Sequence, residues 1–126
     1  IEVQTAGMAA ERALAEEIAE LERVLTEADK QPMPPEKFVF YDMTFHLGIA
    51  RATHNRVLVQ VFSSIKDLLW EAQSQLAKVP GVMDKSRRLH KEIFAAVKEK
   101  DPEKSRSMMF THLDEVQRIL NGIQVV

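Results

Sequence analysis

The stretch FVFYDMTFHLGIARATHN, residues 38–55, decides the fold. Its opening, Phe-Val-Phe-Tyr, is rich in residues that favour strands. The rest is not. Phe38, Asp42, Phe45 and Ile49 recur at steps of four and three, which places them on one face of a helix. A helix over about 35–53 follows, with Pro35 and Glu36 in its first turn, where a missing N–H and a negative charge are both tolerated. The same face carries Asp42 and His46, one turn apart. Two polar side chains on an apolar stripe need partners, because burying them unpaired is costly.

Outward from this segment the helical spacing continues. A first helix is expected over about 2–28, with Leu14, Ile18, Leu21 and Leu25 on its face. The prolines of QPMPPEKF (31–38) end it. Asn55 is placed to cap a third helix over about 56–78, which carries Leu58, Val61, Phe62, Ile65, Leu68 and Leu69 and ends at VPG (79–81). A fourth covers about 82–100, with Leu89, Ile93, Phe94 and Val97. Asp101 and Pro102 are a strong start signal for a fifth, carrying Met109, Leu113, Val116 and Leu120 and stopping near Asn121-Gly122. No period-2 alternation and no internal repeat occur. The expected fold is all-α, an antiparallel bundle of about five to six helices in one domain spanning 1–126.

Composition narrows the function. Of 126 residues, 45% are hydrophobic and 29% charged, with 17 basic and 19 acidic side chains and a net charge of -2. That balance does not suit direct contact with nucleic acid. No apolar run approaches the ~20 residues needed to span a bilayer, and no signal-peptide pattern opens the chain. With no cysteine, disulfides and thiolate metal sites are excluded, which is compatible with a cytoplasmic location. The start at Ile1, without an initiator methionine, suggests a piece of a longer protein.

Three of the four histidines fall on or beside core stripes, each on a different helix: His46, His90 and His112. His54, between Thr53 and Asn55, is expected at the surface. One inward histidine is ordinarily a hydrogen-bonded core residue. Three, together with Asp42, describe either a polar network or a metal site of the kind that facing helices build in a bundle. Imidazole and carboxylate donors suit zinc, nickel, manganese or iron. Such a site could also activate water in a metalloenzyme, but no HExxH motif and no obvious general base accompany it.

These residues also resemble a family. YDMTFHLGIARATHNRVL is similar to the D-x-x-FH-x-x-I-x-x-A-x-x-N motif of the FadR C-terminal (FCD) effector domain of GntR-type transcription regulators. HKEIFAAVKEKDPEKSRSMMFTHL (90–113) resembles its later half, and IEVQTAGMAAERA its first helix. The resemblance implies a divalent metal, zinc above the others, on Asp42, His46, His90 and His112. It further implies a small organic acid as effector, a homodimer, and DNA binding only through an N-terminal winged-helix domain that this chain lacks. Arg87 and Arg88 are candidates for the acid's carboxylate, since arginine offers a planar fork for it; a solvated helix face is the competing reading. Glu2 matches a family position, which surface solubility explains equally well. His54 stands where the family more often has glycine.

Overall fold

The computed structural model describes residues 2–125, with side chains for 2–122. Its element order is α1 (Glu2–Arg12), α2 (Ala15–Ala28), α3 (Pro35–Ala52), α4 (Arg56–Ala77), α5 (Val82–Lys98) and α6 (Pro102–Val125). The all-α bundle expected from the sequence is what forms. α1 packs against α6, α3 and α5; α2 packs against α3 and α5; α4 lies mainly along α3. The main core combines Leu21 and Leu25 with Phe45, Ile49, Ile93, Val97 and Met109.

The caps read from the sequence are in place. Asn55 accepts from the Val57 and Leu58 amides at 2.9 and 3.4 Å, and Asp101 from Lys104 at 3.0 Å. α5 closes with the Asp101 amide reaching back to the Ala96 carbonyl at 2.9 Å, while Lys100 takes φ 60, a Schellman-type stop. His54 adopts φ 55, in the left-handed region that favours glycine. Its side chain is exposed and meets Glu17 at 2.9 Å.

Three expectations need correction. The first helix is two helices, broken at Ala13-Leu14, where Leu14 is extended with ψ 160. No glycine or proline causes the break; two tertiary bonds and one local cap hold it. Lys100 Nζ donates to the Ala13 carbonyl, Arg12 donates to the Thr53 carbonyl at 3.1 Å, and Glu17 accepts the Leu14 amide at 2.8 Å. Leu14 leaves the apolar stripe and is 48% exposed. Second, Asn121-Gly122 does not end the last helix, which continues to Val125. Third, most of the apolar side chains of α4 are not core. Phe62 is buried, but Val57, Ile65, Leu68 and Trp70 are exposed, because only α3 covers α4 extensively.

Gly48 sits where α3 crosses α2. A Cβ there would stand 2.8 Å from Leu21 Cδ2, and Leu21 is itself buried. The glycine therefore permits close approach. At Gly122 a Cβ would meet nothing within 4 Å. Alanine in a helix interior is favoured over glycine by about 1 kcal/mol, whereas overpacking a core costs about 1–3 kcal/mol. Gly122→Ala should thus be neutral or mildly stabilising in thermal melts, and Gly48→Ala destabilising. An equal gain at both positions would mean that Leu21 yields freely.

Candidate metal centre

α3 presents Asp42 and His46 from successive turns, α5 presents His90, and α6 presents His112. All four are buried. Each offers one nitrogen or oxygen such that the four atoms lie within 4.8 Å of one another. Asp42 Oδ1 is 3.1 Å from His46 Nε2 and 3.2 Å from His90 Nε2, and His90 Nε2 is 3.2 Å from His112 Nε2. The rings are braced by packing. Phe45 lies with its centroid 4.8 Å from that of His90, and His46 stacks on His112 at 5.5 Å.

The donor geometry fits an ion better than a closed hydrogen-bond network. Asp42 Oδ1 and both ring nitrogens of His46 make no hydrogen bond of good geometry, despite the short separations. Asp42 Oδ1 and His46 Nε2 share one space with a nitrogen each of His90 and His112, while His46 Nδ1 lies on the far side of the ring, toward Glu2. Adjacent donors around an ion with bonds of about 2.1 Å stand roughly 3.0–3.4 Å apart, and the three close pairs match. Three imidazoles and one carboxylate are a donor set for a borderline divalent ion. Buried polar atoms without partners are rare in native proteins and call for an explanation such as an ion.

The electrostatics of Asp42 and His112 suit donation to an ion, whereas His46 would have to release a proton to bind one. Burial alone would raise the Asp42 carboxyl, but the facing His90 and His46 outweigh it and hold it well below the ordinary range. Burial would likewise lower His46, yet the charges and contacts of Glu2 and Asp42 raise it to about 10. His112 is pushed well below its ordinary value by burial and by the neighbouring His90 and His46, which leaves it neutral and able to donate a lone pair.

Glu2 is the residue that sequence reasoning undervalued. Its Oε1 lies 3.0 Å from His46 Nδ1, and His46, against the pull of burial, lowers the Glu2 carboxyl. No spacing rule links α1 to α3, so only the family match singled it out. The two arginines separate. Arg87 is buried, donating to the Ala28 carbonyl at 2.9 Å and to Asp84 at 2.8 Å, with its guanidinium 5.1 Å from the Phe38 ring centroid. Its Nη2 has no partner. Arg88 is exposed.

Comparison with known proteins places the chain. Residues 1–115 match the FCD domain, and the chain belongs to that family of regulatory domains from GntR-type transcription regulators. It is 32% identical over 130 residues to the Uxu operon transcriptional regulator of Escherichia coli (strain K12), covering 95% of this chain and 50% of that protein. It is 26% identical over 127 residues to the HTH-type transcriptional regulator LutR of Bacillus subtilis (strain 168), covering 97% of this chain and 58% of that protein. The chain thus spans about half the length of these curated relatives. Both bear the names of transcriptional regulators.

A stability measurement checks the electrostatics. In metal-free protein His46 keeps its proton up to a pH of about 10, against an ordinary 6.5. Its stabilising contribution is therefore complete below about pH 6.5 and lost as pH rises through about 10. Urea unfolding of chelator-treated wild type and His46→Gln should show a stability gap that narrows over this window. A gap of constant width would place the proton elsewhere.

Proposed function

We propose that this domain is the effector-sensing part of a GntR-type regulator. Asp42, His46, His90 and His112 hold a divalent metal, with zinc favoured and nickel, manganese or iron the alternatives. A small organic acid binds beside them and controls DNA binding by an upstream winged-helix domain. The observation that carries this reading is the convergence of four buried donors, from three helices, on one space. A bound ion would supply a fixed positive point that attracts a carboxylate.

The polypeptide supplies the rest. Phe45 and the stacked imidazoles keep the donors from turning away. A cavity of about 50 Å³ adjoins His46, walled by Glu2, Leu58, Phe62, Ile65 and Met109 among others. Its mostly apolar lining suits a short carbon chain whose acid end faces the cluster. A second reading comes from Arg87, whose Nη2 has no partner and whose side chain borders a cavity of about 10 Å³ together with Asp42, His90 and Lys91. That space holds about one water, so an acid there must first part its walls. Arg88, exposed on the next position, could meet only the outer end of such a ligand.

A homodimer acting in the cytoplasm, where its DNA target would lie, completes the proposal. Phe40, Val57, Leu68 and Trp70 are all exposed on the α3–α4 side; a second copy would bury this surface. Among the described residues no helix is long and apolar enough to cross a membrane.

His46→Ala should abolish stoichiometric metal in protein purified without chelator and should erase the rise in melting temperature on adding zinc. His54→Ala should change neither, since a ligand stabilises only the state that binds it. Unchanged melting of wild type on zinc addition or chelation would count decisively against the centre. For the acid, Ile65→Trp should weaken its binding at least tenfold while Arg87→Lys leaves it nearly intact. The reverse pattern would assign the acid to the Arg87 side.

A further inference from the structure

Glu2 lies outside the four-donor cluster, yet it touches it. Its Oε1 stands 3.0 Å from Nδ1 of His46, while Asp42 Oδ1 stands 3.1 Å from Nε2 of the same ring. The imidazole is held between two carboxylates, one at each nitrogen. Nε2 is the nitrogen on the side of Asp42, the residue that also meets His90. Nδ1 faces the first turn of α1. A neutral imidazole that gives one lone pair to a metal carries its proton on the other nitrogen, and that proton takes an acceptor, commonly a carboxylate, which fixes the tautomer and the ring's orientation. Glu2 is the acceptor that the structure places there.

Two further observations fit. The Glu2 side chain is only 24% exposed, so its contact with Nδ1 is shielded from water, unlike a surface ion pair. The 3.0 Å contact is not a well-formed hydrogen bond as it stands, but no other carboxylate is placed at Nδ1 among the contacts of the described residues. Glu2 also walls the cavity beside His46. Ring, cavity and the start of α1 therefore share one carboxylate.

We propose that Glu2 is a positioning residue for His46: its carboxylate accepts a hydrogen bond from Nδ1–H, presents Nε2 to the ion, and ties the first turn of α1 to the state of the centre. The inference rests on the metal-centre reading above. It adds a route by which occupancy of the core is felt at α1.

The test uses the full chain as wild type, Glu2→Ala and Glu2→Gln. Zinc affinity is measured by competition with a chromophoric chelator, and cobalt-loaded protein is examined by visible absorption. Glu2→Ala should weaken zinc binding 10- to 100-fold, the usual effect of removing such a partner, and shift the cobalt bands. Glu2→Gln, whose amide oxygen still accepts a hydrogen bond, should recover much of the affinity and the wild-type bands. Zinc should slow hydrogen exchange at the amides of residues 4–7 in wild type and not in Glu2→Ala. Wild-type zinc affinity and cobalt bands in Glu2→Ala would overturn the inference while leaving the centre intact. The same holds if both variants only lower the metal-free melting temperature. Failure of the wild type itself to bind zinc or cobalt would overturn the centre, and the inference with it.

Discussion

Everything else in this domain is arranged around the burial of three imidazoles and a carboxylate at one point. Taking such groups out of water is expensive unless each finds a partner. Here the four groups, drawn from α3, α5 and α6, face one space that a shared ion would satisfy. The cost is met only if those helices hold a fixed register, and the apolar core around Phe45, Ile49, Ile93 and Met109 enforces it. Packing positions the polar cluster, and the cluster makes that packing specific. An error of one residue in the register of any of the three helices would strand a buried charge.

The same constraint explains why such a core suits sensing. A centre that joins three helices is sensitive to anything that binds it, because a ligand shifts an equilibrium only through contacts that differ between states. α1 lies across this assembly, packed on α6 and α3, with Ser105 donating to the Ala6 carbonyl at 2.8 Å. A change at the cluster therefore has a packed path to the beginning of the chain.

Much of this was legible in the sequence, for local reasons. Pro35, Asn55, Asp101 and Pro102 mark helix ends through short-range chemistry. Asp42 and His46 share a face through helical periodicity, and His90 and His112 sit on stripes of their own. The family motif selects the same four residues independently. What was illegible depends on tertiary contacts. The break at Ala13-Leu14 is held by Lys100 and by the Arg12–Thr53 bond, which no window around residue 13 reveals. Arg87 reads as a surface residue in DKSRRLHKE, yet the carbonyl end of α2 and the Phe38 ring draw it inward. Periodicity marks α4 as amphipathic but cannot say that its apolar face lacks a cover within one chain.

The most direct test of the central claim is structural. Crystals grown from protein never exposed to chelator, with anomalous data collected across transition-metal absorption edges, would identify both the ion and its ligands. The account predicts one ion bound by Asp42, His46, His90 and His112 at about 2.0–2.3 Å. Four side chains joined only by mutual hydrogen bonds and water, with no anomalous signal at any edge, would contradict it.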